Sequence, residues 1–379
     1  MDLIRAKFLW VPIVGLLVIF GLDKLALLEV VRRNVVYWQK IEPILYESRE
    51  PLFDHLLEDY RSPERQAQRL GVVLGSSRSG EFGNSDIARV VPNSYTYNFS
   101  APLACPAYFY YWVDRMLAAE VRPAFVMVEA DPILFTDGAL DYAISYSFST
   151  AFVASHIDFG RSTPRDPWQS QGRGFSVSEA ETYFLKELFA TYKYPIKLSN
   201  IIENNEPRLL PGMDGQIRMY RPIDYRRELE GLVDLVNREQ LGGIPNPFFA
   251  HVPEDQMEAD AERMAAIHLA LYRVAPTQVI FFRNLLQRLA ARGVPTIVYV
   301  PVNSAAFERR MRDQNMRTRA IEPLLGLVEQ VRQSEPESRI RVVDLSEDPQ
   351  LSCRAFVDSF HLSGLCFREL TDLVFASVP

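Results

Sequence analysis

Histidine and cysteine are scarce: the 379 residues hold five of the first and three of the second. No paired CxxC, no HExxH and no other run with metal-ligand spacing occurs, so neither a resident metal nor another cofactor is expected. Cys105, Cys353 and Cys366 are odd in number and widely spaced, which excludes a disulfide framework and leaves room for one bond. Positive charge is not in excess either. Forty-one Lys and Arg stand against 48 Asp and Glu, a formal net charge of −7, and the arginines are scattered among acids. A phosphate-binding face shows as a basic patch, so nucleic acid is excluded as a partner. No internal repeat or low-complexity tract is present, and 48% hydrophobic residues argue against extensive disorder.

What the chain does have begins at its N-terminus. Phe8 to Leu22 is an uninterrupted apolar run of fifteen residues, preceded by Arg5 and Lys7. A bilayer core takes roughly 20 apolar residues. After Asp23 and Lys24 the apolar character resumes through Val31, and Lys24 can snorkel toward headgroups. No A-x-A-like cleavage site follows the run, so residues 1–33 read as a single-pass membrane or signal anchor. A cleaved signal peptide and a buried helix are the rival readings. Arg5 and Lys7 favour an inside N-terminus, although Arg32 and Arg33 on the other flank weaken the asymmetry. The body is therefore expected on the extracytoplasmic, periplasmic side. Residues 34–69 are amphipathic and charged and predict a helical stem.

Beyond the stem, strand-like and helix-like stretches alternate, which predicts α/β architecture. The strand candidates are Leu70–Leu74, Ser94–Ser100, Ala124–Val128, Pro295–Val302 and Ile340–Leu345. Helices are predicted near Ala107–Ala119, over Asp260–Arg292 as one long amphipathic element, over Thr318–Gln333, and from about Ser363 to Ala376. Short β-branched strands separated by helices suggest a parallel sheet with right-handed crossovers. The stretch 135–260 breaks this rhythm. It is rich in aromatics, Pro, Gly and Asn, with helical pieces such as Ser178–Tyr192, and reads as a long insertion over one sheet edge, a lid or substrate cap.

In a parallel α/β sheet the site lies at the carboxyl ends of the strands. Ser77, Asn98, Asp131 and Asn303 all follow strands. The turn Gly75-Ser76-Ser77-Arg78-Ser79-Gly80 could present a serine hydroxyl, with helix N-terminal NH groups nearby for an oxyanion. Without GxxxxGK[ST] spacing, and without a lysine near the turn, it is no nucleotide cradle. Near the other end, Asp358-Ser359-Phe360-His361 spaces a carboxylate three residues before an imidazole, as in a Ser-His-Asp triad. The remaining histidines read as structural: His268 on a helix, His55 in the stem, His156 and His251 in the insertion. Arg78 could steady an anion or pair with a nearby acid. Glu129 and Asp131 read first as structural capping groups, and Asn303 as a loop or substrate positioner.

Gly75-Ser76-Ser77 after the first strand, with Asp358-x-x-His361 before the terminal helix, resembles the first and last blocks of SGNH (GDSL-type) hydrolases. The match is nearer to the DltD-like branch, membrane-anchored proteins of teichoic-acid D-alanylation, and Pro301-Val302-Asn303 resembles a segment of that branch. The layout as a whole also resembles a spirochaetal family of DltD-like proteins. The resemblance spans about residues 70–134 and 293–379 plus the anchor. It implies a flavodoxin-like three-layer sandwich carrying the anchor and the insertion. It also implies Ser77 as nucleophile, His361 as general base, Asp358 as its orienting carboxylate and Asn98 as a candidate oxyanion donor. An esterase or O-acyltransferase acting on an acyl ester of a cell-envelope glycan or lipid is implied, with an integral membrane acyltransferase as partner. The G-x-N-D block usual after the third strand is absent, replaced by Glu129-Ala130-Asp131. That departure keeps a second expectation open, a non-catalytic scaffold or binding protein of envelope assembly.

Overall fold

Five short runs dominated by β-branched and aromatic residues form one parallel sheet, as buried strands of this composition do. They are β1 (Arg69–Leu74), β2 (Ser94–Asn98), β3 (Phe125–Glu129), β4 (Thr296–Val300) and β5 (Ile340–Asp344). In the computed structural model, which describes residues 2–161, 164–211, 216–244, 252–346, 348–376 and 378, the sheet runs β2-β1-β3-β4-β5. The order reverses beside β1, because β2 lies on one flank and β3 on the other. Loops leaving β1 and β3 therefore part at that point, the place where such sheets open a crevice. Register fixes which side chains share a face. Glu129 stands opposite Tyr299 and Met127 opposite Ile297.

Helices α1 (Arg49–Arg61), α2 (Asn84–Val90), α3 (Pro106–Ala118), α4 (Glu254–His268), α5 (Pro276–Ala291), α6 (Ala305–Asp313), α7 (Glu322–Ser334) and α8 (Gly364–Phe375) belong to this part, together with helices Asp137–Tyr146 and Thr150–Ser155. α2 and α8 pack together on one face, where Phe82 meets Phe367 and Phe375 at ring distances of 5.2 and 5.6 Å. α3, α5 and α7 form a second packed layer, joined by the 5.3 Å contact of Tyr110 with Phe281. Aromatic pairs of this kind add to the burial energy when edges meet faces.

The chain divides into two units. The larger comprises Leu45–Ser176 and Val233–Pro379, and the smaller Met1–Ile44 and Val177–Leu232. This differs from a stem followed by a body with one insertion. Residues 49–61 are not a stem: Leu52, Phe53 and Leu56 are buried, and Arg49 donates to Ser100 O and Asn237 Oδ1 inside the larger unit. The stretch 135–260 is likewise divided. Its first part stays in the larger unit, where Phe148 and Phe152 pack on Tyr111. The part Val177–Leu232 joins the N-terminal residues, and from Val233 the chain is again in the larger unit. The long helix expected over 260–292 is two, α4 and α5, because Pro276 at the first turn of α5 has no N–H to carry a helix through.

The smaller unit holds helices Asp2–Leu25, Glu29–Val35, Val177–Leu188, Ala190–Lys193 and Asn200–Asn205 and an antiparallel hairpin, Arg208–Pro211 with Ile217–Tyr220; Asp2–Leu25 packs on Ala190–Lys193 and Glu29–Val35 on Asn200–Asn205. Asn204 is the knot. Its carbonyl accepts from Trp38 N, and its amide donates to the carbonyls of Arg33, Asn34 and Val36. Among the described residues no single helix is long and apolar enough to cross a membrane. Trp10–Leu25 and Glu29–Val35 meet that requirement together, bent by 81° at the break.

Candidate active site

The turn after β1 begins at Gly75, and only glycine fits there. A Cβ would sit 2.4 Å from Ser79 Cβ and 2.7 Å from a carboxylate oxygen of Glu129. Ser77 opens a one-turn 3₁₀ segment, Ser77–Ser79, whose capping oxygen is Ser76 Oγ. The serine is exposed while its neighbours Ser76, Arg78 and Ser79 are buried. The turn therefore pushes one hydroxyl outward and anchors the rest.

That hydroxyl lies 2.8 Å from His361 Nε2. The other ring nitrogen, Nδ1, lies 2.7 Å from Asp358 Oδ2. A carboxylate at Nδ1 keeps the proton on that nitrogen and leaves Nε2 as the acceptor of the serine hydroxyl. Asp358 Oδ1 also accepts from the backbone N–H groups of Phe360 and His361 at 3.0 and 2.7 Å. Burial opposes ionisation of Asp358, but the His361 ring and those amides outweigh it and hold the carboxyl below its ordinary value of 3.8. Phe360 stacks on the imidazole at 5.5 Å, and Phe307 stacks on Phe360. Cys353 and Cys366 form a disulfide, so the bond that the cysteine count left open closes around this loop. Cys105 is buried and free.

The third strand contributes what the sequence did not announce. Glu129, fully buried, accepts from Ser76 N at 2.9 Å, from Ser76 Oγ at 2.5 Å and from Ser79 Oγ at 2.5 Å. One carboxylate fixes Ser76 and Ser79, one on either side of the exposed serine. Burial first, and the charge of Asp131 second, push its pKa up against Arg78 and the two hydroxyls. The signal was present as a carboxylate ending an otherwise apolar strand, and its reach back to β1 is what a capping role did not convey.

Three expected substrate or oxyanion groups have other duties. Arg78 is buried between Asp131 Oδ2 at 2.6 Å, Val302 O at 2.6 Å and Asn303 Oδ1 at 2.8 Å. Asn98 donates to Ser79 O and Phe82 O and accepts from Ser100 N. Asn303 spends its amide on Glu308 and Met311. All three tie strand-end loops together instead of presenting a free donor, because each is buried among carbonyls and carboxylates that must be satisfied. His268 touches Phe360 at 5.7 Å, and burial lowers its pKa. His55 packs on Tyr97, and His156 sits among Tyr110, Phe152 and Phe281. His251 lies outside the described residues. Among these no group of three or more His, Cys, Asp or Glu could hold a metal ion.

Beside His268 opens a cavity of about 390 Å³ of mixed character, with Ile133, Ile267 and Leu271 on its wall beside Asp137 and Arg273. The fold and site thus define an α/β protein with a serine, a histidine and an aspartate hydrogen-bonded in series at the carboxyl edge of a five-stranded parallel sheet. The chain belongs to DUF1574, a family described as proteins of unknown function, whose match runs over residues 3–378. No curated protein matches it.

Proposed function

We propose that the protein is a membrane-anchored serine esterase or O-acyltransferase of the SGNH type, acting on an acyl ester of a cell-envelope glycan or lipid. The observation that carries this reading is the unbroken series Ser77 Oγ, His361, Asp358, at 2.8 and 2.7 Å. Such spacing is what a base must have to take a proton from a nucleophile. The strand order β2-β1-β3-β4-β5, a flavodoxin-like arrangement, supports the SGNH resemblance.

In the proposed reaction Ser77 Oγ bonds to the acyl carbonyl carbon as its proton passes to His361 Nε2. Asp358 stabilises the imidazolium. The Ser77 N–H opens the turn and, as at any helical N-terminus, has no partner within it, so it is the donor assigned to the oxyanion. The proton moves on to the leaving alkoxide, which departs as an alcohol. Water or a sugar hydroxyl then gives its proton to His361 and bonds to the acyl carbon; the carbon–Oγ bond breaks, His361 returns the proton to Ser77 Oγ, and an acid or a new ester is released.

The bent apolar helix pair supports anchorage, and the Cys353–Cys366 bond supports an oxidising, extracytoplasmic compartment. An integral membrane acyltransferase is the partner that the DltD-like resemblance favours. A second reading, a non-catalytic envelope scaffold, is favoured by one observation: Asn98, the expected side-chain oxyanion donor, is fully engaged. Fluorophosphonate labelling of the solubilised protein, mapped by mass spectrometry beside Ser77→Ala and His361→Ala, separates the two. Labelling at Ser77 that both substitutions abolish supports the enzyme; folded protein that never labels supports the scaffold.

A further inference from the structure

The fifteen-residue run Phe8–Leu22 is short for a bilayer. At 1.5 Å per residue it covers about 22 Å, against a hydrocarbon core of about 30 Å. A span that short draws its flanking residues into the interface. What flanks it is well defined. The Asp23 carboxylate accepts the N–H groups of Ala190 and Thr191 at 2.8 and 2.9 Å, Lys24 Nζ donates to Leu188 O, and Phe20 meets Phe189 edge-on at 6.2 Å. Residues 188–191 are therefore fastened to the end of the apolar helix.

The chain then turns. Helix Glu29–Val35 leaves at 81° to Trp10–Leu25, so a first helix near the membrane normal sets the second nearly parallel to the membrane plane. That short helix is bound to Asn200–Asn205 by Asn200 Nδ2 on Val35 O and by Asn204 on three further carbonyls. The side chains around this junction are apolar and open: Val30 is 77% exposed, Leu198 78% and Ile202 71%, with Leu28, Leu188 and Tyr192 also exposed. The hairpin that follows adds Leu209 and its cross-strand partner Met219, both exposed on one face. Exposed apolar groups gathered in one place mark an interaction surface. Lys197 lies among them in sequence, while Lys193 is paired with Glu187 at 2.7 Å; apolar groups beside a basic one suit a headgroup layer.

We infer that the smaller unit is an interfacial platform, with Glu29–Val35 and residues 188–202 resting in the headgroup layer of a lipid bilayer. Lipid is the occupant because the exposed apolar side chains continue directly from the end of the apolar helix, whose own side chains from Trp10 to Leu22 are largely exposed. The inference rests on the anchored reading above, and adds to it a second membrane contact that the helix alone does not provide.

The test uses the full chain in phosphatidylcholine–phosphatidylglycerol vesicles. An environment-sensitive fluorophore is placed by Leu16→Cys, Leu198→Cys, Ile202→Cys or, as a control in the larger unit, the exposed position Glu337→Cys. Cys105 is buried and the other two cysteines are bonded, so the label goes to the new thiol. Lipids with a quencher high on the acyl chain should dim the probes at Leu198 and Ile202 several-fold relative to Glu337, and a deep quencher should dim Leu16. Quenching at Leu16 with Leu198 and Ile202 no dimmer than Glu337 overturns the platform and leaves the anchor standing. No quenching at Leu16 overturns the anchor, and the platform with it.

Discussion

Opening the Cys353–Cys366 bond tests how the imidazole is held. The bond joins cysteines thirteen positions apart and closes a ring that carries Asp358, Phe360 and His361. A loop of that size restrains the unfolded chain by about 3 kcal/mol. With an unfolding entropy of about 2 cal/mol/K per residue, a chain of 379 residues should then lose about 4 °C of melting temperature on reduction. The loop does not depend on the bond alone. Val357 N donates to His361 O, Ser363 N to Ala355 O, Ser359 N to Asp260 Oδ2, and Glu369 accepts from Ser352 and Cys353. The reduced protein should therefore remain folded while the Asp358–His361 segment loosens. If that loosening of the native loop costs about 1.4 kcal/mol at the 2.8 Å contact of Ser77 with His361, fluorophosphonate labelling slows about tenfold. The assay compares labelling rates before and after reduction, with alkylation of both thiols read by mass. Cys353→Ala combined with Cys366→Ala should behave like the reduced protein. Complete alkylation with an unchanged labelling rate would refute the claim that the bond positions the imidazole.

Glu129→Gln should destabilise the protein by about 2–4 kcal/mol, read by denaturant unfolding, because an amide nitrogen would face donors that now meet a carboxylate. The raised pKa of Glu129 makes the native state the better proton binder above the ordinary value of 4.5. Its contribution therefore falls as pH rises through that window, and unfolding of Glu129→Gln at several pH values should lack the slope. Asp358→Asn should slow labelling by about three to four orders of magnitude through the wrong imidazole tautomer. Because the Asp358 pKa lies below 3.8, its stability contribution is present above that pH and lost as pH falls through the lower value; the substitution should remove this acid-side loss. Arg78→Ala should cost about 3–5 kcal/mol of unfolding free energy, because it leaves Asp131 buried and unpaired.

The sheet was legible because buried parallel strands are written as near-continuous apolar runs, and β1, β3 and β4 are of that kind. Asp358-x-x-His361 was legible because three residues suffice to set a carboxylate against an imidazole. The duties of Arg78, Asn98 and Asn303 were not. Each turns on which carbonyl or carboxylate lies across a loop, and spacing along the chain carries no trace of that. The break between α4 and α5 was hidden because amphipathic spacing runs through Leu269–Ala275, and only Pro276 marks the stop. The division into two units depends on pairings such as Asp23 with Thr191 and Asn204 with Val36, which join segments more than 160 residues apart.

Both units are therefore discontinuous in the chain, which bears on how the protein can be cut. Removing residues 1–44 to obtain a water-soluble body would not free the larger unit. It would leave residues 177–232 without Val35, Val36 and Trp38, three buried members of their core, and would strip Asn200 and Asn204 of their acceptors. A trimmed protein that aggregates would then report a dismantled neighbour and say nothing about the serine site. A shortened protein has to lose both segments of the smaller unit, Met1–Ile44 and Val177–Leu232, at once.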